Sequence, residues 1–389
     1  MATFNKARVA RWLAGCPGSS KYFGPPRGYV DSIRNLSEKE CRLLARLKEA
    51  RLVEHCLPEL DGYPDLEAQI RKSFLRIEEP EQNLYSLPNA RILGANYFHP
   101  LITNRDRFVL DQAAHELQQS SHPAHYALRL PQSKEVPEVT FSLASRWSDN
   151  YWHWLFDCIG KWLLIEKTNP GRMPSIGFIA GLNLEQYAFK TQSLEALGVA
   201  EDRIVDIKAS SHFEFENLLV ADLPSSIPYP EMDVIGALRE AFLGKYSAES
   251  LPKKVYISRG KSGSRRVVNE PELEETLNDF GFQKVYLEDL SFLQQVTLFQ
   301  NATAIFGQHG AGFTNLIFST AGAQVFELFE PEFVNPCYAI LADKLGLDYK
   351  ILFNSSAQRP TPTFHWKNIP VEVVVDCKVI REALIKNLT

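Results

Sequence analysis

Three short segments of the chain hold residue types whose spacing could do chemistry. The first is Gly307-Gln308-His309-Gly310-Ala311-Gly312-Phe313-Thr314-Asn315. Small residues let a ligand approach the backbone, and where such a turn opens a helix, free amides and the positive end of the dipole suit a diphosphate. The competing reading is a tight strand-to-helix turn that holds no ligand. His309 and Asn315 weigh against it: no Asp, Glu, Lys or Arg occurs between Leu290 and Phe326, and polar groups in such a stretch need a reason. The second segment, Ser258-Arg259-Gly260-Lys261-Ser262-Gly263-Ser264-Arg265-Arg266, sets four cations in a Gly/Ser-rich loop. Guanidinium forks match phosphate oxygens, although a solvated surface loop has the same composition. The third is Asn150-Tyr151-Trp152-His153-Trp154-Leu155-Phe156-Asp157. On a helix His153 and Asp157 share a face, and a carboxylate beside an imidazole fixes its tautomer and raises its basicity, which prepares a general base. A satisfied histidine in an aromatic core is the alternative. His115, His122 and His125 do not suggest a metal, since a proline intervenes and no carboxylate is paired with them. No Asp-x-Asp occurs, so a divalent ion holding a diphosphate through that motif is not supported.

The elements that must position these segments alternate cleanly beyond Pro252. Strands are expected at 254–258, 284–287, 303–307, 324–328 and 349–352. Helices are expected from Asn269 (with Glu272 as capping partner), from Ser291 (with Gln294), from the glycine turn to Ser319, and from 335 to 345. Such alternation implies parallel strands joined by right-handed crossovers. Both the glycine turn and the arginine loop then open at the carboxyl edge of one Rossmann-like sheet, where α/β sheets bind ligands. The uncharged stretch fits a strand covered by helices on both faces. Between 90 and 250, strand-like runs at 91–94, 107–110, 139–143, 175–179 and 217–220 flank helices expected at 147–166 and 185–197. Residues 1–88 are turn-rich, with one helix expected from Ser37 to Cys56 on a Ser37-x-x-Glu40 capping box and a Leu43, Leu44, Leu47, Leu52 stripe. The expected division is 1–88 as a partly helical N-terminal extension, 89–250 as a first Rossmann-like domain and 251–389 as a second, whose terminal helix at 376–388 crosses back onto the first.

Composition bounds the function. A chain of 389 residues with 45% hydrophobic and 23% charged residues is globular, long enough for two domains and some extra. Its 42 basic and 47 acidic residues leave a net charge of −5, which argues against a nucleic-acid or membrane-surface binder. The six cysteines are scattered, without zinc or disulfide spacing, and read as reduced thiols of a cytoplasmic protein. The N-terminal residues lead into no apolar core of signal-peptide length, and no apolar run is long enough to span a bilayer. An NAD site is disfavoured because no G-x-G-x-x-G follows an expected strand.

Taken in order, these segments resemble glycosyltransferase family 61, a group that includes plant xylan-decorating enzymes and animal O-linked N-acetylglucosaminyltransferases. The resemblance rests on Asn150-x-x-His153-x-x-x-Asp157, Tyr256-Ile257-Ser258-Arg259, Arg265-Arg266-Val267-Val268-Asn269-Glu270, Leu290-Ser291-Phe292, the Gly307–Asn315 turn and Val325-Phe326-Glu327. It covers about 90–353, and Phe313 stands where the family usually has leucine. It implies a GT-B architecture, with two Rossmann-like domains facing a cleft, and inverting transfer of a sugar from a nucleotide diphosphate, most simply UDP. The implied roles are a base at His153 or Asp157 and diphosphate binding by the Gly310, Ala311 and Gly312 amides with Arg259 and Arg265 or Arg266. Glu327 would accept from ribose hydroxyls, Ser291 and Phe292 would border the base, and His309, Thr314 and Asn315 would sit on the donor side. No metal or other cofactor is expected. Eukaryotic members are secretory-pathway proteins, so this chain is expected to be a bacterial-type cytoplasmic enzyme acting on a glycan or glycolipid hydroxyl; a homo-oligomer stays open. The rivals are another activated-donor transferase, such as a pyruvyl transferase, and a non-catalytic nucleotide-sugar binder.

Overall fold

The computed structural model describes residues 28–30, 33–54, 67–68, 71–72, 75–94, 101–104, 108–110, 124, 127, 130–145, 147–168, 177–222, 230–247, 251–329, 334–353 and 372–388. His115, His122, His125, Cys16 and Cys56 lie outside the described residues. The chain is mixed α/β and divides into two compact units. One comprises Met1–Arg51, Pro80–Ser226 and Asp233–Leu238, and the other Leu52–Glu79, Ile227–Met232 and Arg239–Thr389.

The first unit is built on a nine-stranded mixed sheet. Its strands are β1 (Gly28–Val30), β2 (Arg42–Lys48), β5 (Gln82–Leu93), β6 (Leu101–Thr103), β7 (Phe108–Leu110), β8 (Lys134–Ser142), β9 (Phe178–Leu182), β10 (Ile204–Ile207) and β11 (His212–Ala221). A separate two-stranded ladder, all but Arg51 of it in the second unit, joins β3 (Arg51–Glu54) to β4 (Arg76–Glu79). The sheet order is β1-β7-β6-β5-β11-β8-β9-β10, with β2 also pairing β5. The half β11-β8-β9-β10 is parallel, whereas β5 runs antiparallel to β2, β6 and β11. A Rossmann-like β-α-β-α-β core is therefore present in β8, β9 and β10, but it is fused to an antiparallel half that local alternation did not reveal. Leu87, Ile92, Phe215 and Leu218 are fully buried in its core. The crossover from β8 to β9 runs through α1 (Tyr151–His153), a π-helical segment (Trp154–Ile159) and α2 (Gly160–Thr168); α3 (Ala188–Ala196) links β9 to β10.

The helix expected from Ser37 to Cys56 does not form. Ser37 and Glu40 do bond, with Ser37 N and Oγ both donating to Glu40 Oε2 at 3.2 and 2.7 Å, but the turn they close feeds β2. Pairing with β5, from Arg42↔Ser86 to Lys48↔Gln82, outweighs the helix propensity of a Leu- and Arg-rich run. Leu43 and Leu52 are 54% and 70% exposed, so the supposed apolar stripe faces no core.

The second unit is built on five parallel strands in the order β14-β12-β15-β16-β17. These are β12 (Lys254–Ile257), β14 (Gln283–Val285), β15 (Ala304–Gln308), β16 (Gln324–Phe329) and β17 (Asp348–Phe353). A short ladder joins β13 (Arg266–Val267) to β18 (Glu372–Val373). Preceded by α4 (Met232–Phe242), the helices are α5 (Glu270–Asn278), α6 (Phe292–Asn301), a 3-10 segment (Ala311–Phe318), α7 (Cys337–Leu345) and α8 (Cys377–Asn387). By chain order the strands lie second-first-third-fourth-fifth, so the winding reverses between β12 and β15, the topological switch point of a doubly wound sheet. All five residues of β15 are buried, as the uncharged stretch predicts. Helix α8 does not leave this unit: Ile380 and Leu384 pack with Leu273, Leu277 and Phe282. Asn269 ties it down, donating from Nδ2 to Val375 O at 2.8 Å and accepting from Val375 N at 3.0 Å, instead of capping α5 with its side chain. No helix among the described residues is long and apolar enough to cross a membrane.

Candidate functional site

The two loops that flank the switch point start side by side, because Ile257 at the end of β12 is the register partner of Gly307 in β15. After β12, Ser258 is buried and donates to Glu270 Oε1 at 2.5 Å, the same oxygen that accepts from Tyr256 at 2.9 Å. The loop beyond is built around one guanidinium. Arg259 donates from Nε to Ser264 O at 3.1 Å and from Nη2 to Ser262 Oγ at 2.6 Å and Ser264 Oγ at 3.4 Å. The serines thus aim an arginine, and no carboxylate pairs with it among the described residues. Burial pushes its pKa down, the mark of a cation short of counter-charge.

The glycine turn meets that guanidinium. A Cβ on Gly310 would lie 2.1 Å from Arg259 Nη1 and 3.6 Å from Arg265 Nη2. The φ of Gly310 is 172°, open to any residue; a side chain here would have to displace the end of Arg259, so glycine leaves that guanidinium its place. Ala311 and Gly312 open the 3-10 segment, where the first amides have no carbonyl behind them. Arg265 holds φ at +56°, unusual for a side chain of its size, and Arg266 after it turns to β13, where it pairs with Glu372 at 2.8 Å. Lys261 pairs with Asp289 and lies 4.8 Å from the Tyr286 ring. Of the four cations, the structure gathers Arg259 and Arg265 at Gly310, while Lys261 and Arg266 are held in exposed ion pairs.

Three residues expected at the ligand have partners within the fold. Glu327, expected to meet ribose, is 0% exposed: Oε1 accepts from His309 Nδ1 at 2.6 Å and Oε2 accepts from the Tyr349 hydroxyl. A buried carboxylate needs donors, and both its oxygens have them. Phe292 is 1% exposed and packs edge-on against Phe242 at 4.8 Å, so it is core and cannot border a base. Ser291 caps α6 in a reciprocal box, its Oγ accepting from Gln294 N at 3.3 Å while Ser291 N donates to Gln294 Oε1 at 2.8 Å. Thr314 meets the Tyr338 hydroxyl at 3.3 Å, and Asn315 donates to Gln295 Oε1 at 3.0 Å and to Gly312 O at 3.2 Å, so both brace the turn from within.

His309 sits against Phe329 at 4.9 Å and Tyr338 at 5.3 Å. Burial lowers its pKa; Glu327 opposes that shift, and Arg265 and Arg259 add to it. With Nδ1–H given to Glu327, the neutral ring keeps a lone pair on Nε2. Tyr349, Tyr338, Ser262 and Ser264 were not singled out from sequence. The one available signal was Glu327 itself, a carboxylate at the end of a buried strand that had to find donors.

In the first unit, His153 and Asp157 meet as expected, Nδ1 to Oδ2 at 2.7 Å, with side chains 13% and 2% exposed. Asn150 caps the helix, accepting from Trp152 N at 2.9 Å. Asp157 lies in the π-helical segment, a rare geometry that recurs at functional sites. Its Oδ1 is buried without a hydrogen-bond partner among the described residues. The segment is locked from α3: Trp154 Nε1 donates to Ser193 Oγ at 2.8 Å, and the fully buried Lys190 donates to Asp149 at 2.5 Å.

A family model described as Glycosyltransferase 61 matches residues 151–326, which bears out the resemblance over that span. The EGF domain-specific O-linked N-acetylglucosamine transferase of Drosophila melanogaster is 40% identical over 98 residues, 24% of this chain and 18% of that protein. The β-1,2-xylosyltransferase of Arabidopsis thaliana is 28% identical over 131 residues, 29% of this chain and 24% of that protein. The matches thus span only 18% to 24% of the length of these relatives. Among solved structures, the bacterial iron-containing dodecameric glycosyltransferase TibC of enterotoxigenic E. coli is 10% identical with a TM-score of 0.29, over 72% of this chain and 82% of that one. A score that low carries no argument.

Proposed function

We propose that this chain, matched by glycosyltransferase 61 over residues 151–326, is an inverting, metal-independent glycosyltransferase of the GT-B type. It moves a sugar from a nucleotide diphosphate, UDP in the first instance, to a hydroxyl of a glycan or glycolipid. The observation that carries this reading is Arg259: a guanidinium held by serines at the switch point, against Gly310, and without a carboxylate partner among the described residues. Such a group is a receptor for an anion with paired oxygens.

In the reaction, the acceptor hydroxyl attacks the anomeric carbon and gives its proton to His153 Nε2, while the bond from that carbon to the diphosphate oxygen breaks. Asp157 fixes the His153 tautomer and stabilises the imidazolium that forms. Arg259, Arg265 and the first amides of the 3-10 segment neutralise the departing diphosphate, the charge that a divalent ion supplies in other transferases. His309 Nε2, an acceptor by virtue of Glu327, takes a hydroxyl of the donor's ribose or sugar, the part expected of Glu327 itself. A cytoplasmic setting agrees with Cys41, Cys158, Cys337 and Cys377 being free buried thiols.

Titration calorimetry with UDP, GDP and CMP, with and without EDTA, tests the reading. Uridine or guanosine diphosphate should bind regardless of EDTA, and Arg259→Ala and Gly310→Val should each weaken binding by about a hundredfold, near the loss of a buried charged hydrogen-bond pair. The valine would stand where the guanidinium now lies. Binding that requires magnesium, or that survives both substitutions, overturns the proposal; binding without transfer from any nucleotide sugar identifies a sensor.

A further inference from the structure

We infer that Trp147 is the platform on which the acceptor stacks, so that the acceptor at this site is a pyranose ring. The inference rests on the transferase reading and specifies its substrate class. Trp147 is 39% exposed, and its ring lies 6.3 Å from the His153 ring with the planes tilted by 31°. Scattered exposed aromatics are ordinary on protein surfaces. This one occupies the loop at the carboxyl end of β8, directly before the helix that carries the proposed base.

The loop is built to hold the indole still. Ser148 N donates to Ser145 O at 3.3 Å and Asn150 N to Trp147 O at 2.8 Å, so two overlapping turns bracket the tryptophan. The next residue but one, Asp149, is anchored by Lys190 Nζ at 2.5 Å, and that lysine is 0% exposed and lies 5.5 Å from the Trp154 ring. This half-buried ion pair ties the loop to α3. A rigid, half-exposed indole offers a flat electron-rich face, the complement of the axial C–H bonds on one side of a pyranose.

The test is saturation-transfer-difference NMR on the full chain with UDP present. The probes are methyl β-D-xylopyranoside and methyl β-D-galactopyranoside, with xylitol as the ring-free control. Wild type should transfer saturation to the axial ring hydrogens of both glycosides and not to xylitol. Trp147→Ala should lose at least fivefold of that signal while Trp147→Phe keeps most of it, with melting temperature and UDP affinity unchanged in both. Equal signals in wild type and Trp147→Ala, or equal signals from glycosides and xylitol, overturn the inference. If UDP binding depends on Arg259 while the glycosides ignore Trp147, the platform fails and the transferase reading stands. If the glycosides need Trp147 in a protein that binds no nucleotide diphosphate, the transferase reading fails instead.

Discussion

Each unit pairs a histidine with a carboxylate through Nδ1 at nearly the same distance, 2.7 Å in His153–Asp157 and 2.6 Å in His309–Glu327, yet the surroundings differ. Glu327 has both oxygens occupied, by an imidazole and by the Tyr349 hydroxyl, and the His309 ring is wedged between Phe329 and Tyr338. Among the described residues Asp157 has one oxygen occupied and one not, and His153 borders a half-exposed tryptophan. The same chemical pair is thus satisfied to two different degrees among the described residues. A fully satisfied pair holds an acceptor nitrogen in place, whereas a partly satisfied one has capacity left for a proton in transit. The distance within a pair says little about its task; the count of remaining partners says more.

The largest effect that should separate the two pairs is on transfer. His153→Ala should cut turnover by about a thousandfold, the scale of a lost general base, and leave UDP affinity within twofold by calorimetry. Retained turnover would reverse the assignment of the two histidines. Next in size, Tyr349→Phe should destabilise the second unit by about 1–3 kcal/mol, because it strands a buried carboxylate oxygen. Denaturant unfolding would show it, and a neutral result would mean that Glu327 is less tightly held than its geometry indicates.

A third test uses pH. Burial lowers the His309 pKa below its ordinary 6.5, so below that pH the unfolded chain binds the proton more readily than the folded one. Stability from this group is complete above pH 6.5 and falls as the solution becomes more acid, with a slope of at most about 1.4 kcal/mol per pH unit. His309→Gln should flatten that limb in melts recorded from pH 5 to 8; parallel curves would sink the argument. Smallest of all, Ser291→Ala should cost about 1 kcal/mol, the value of a helix cap, and leave UDP binding unchanged. A loss of binding would return Ser291 to the ligand.

The second unit was legible because its signals are local. Its strands stand within a few residues of their expected places, and the Ser291–Gln294 box formed as written. What was hidden depends on partners distant in the chain. The run 37–56 reads as a helix until β5 offers it an edge. Glu327 reads as a ligand group until Tyr349, 22 residues on, takes its second oxygen. Arg265 and Arg266 are indistinguishable as letters; the backbone at Arg265, with φ of +56°, sends the pair in different directions. Phe292 looked available beside a polar cap, and only the packing of Phe242 and Phe318 shows that it is not.

The wide-turn stretch between Trp154 and Ile159 sits one residue away from disappearing. Excising a single amino acid there would let the coil run uninterrupted from Tyr151 to Thr168, and because a wide turn holds about one residue more than an ordinary turn of 3.6, α2 would keep nearly its present facing. Trp162, Leu163 and Ile165 would stay inward. The residue count of this stretch is therefore less constrained than the hydrophobic face of α2, which keeps its register either way.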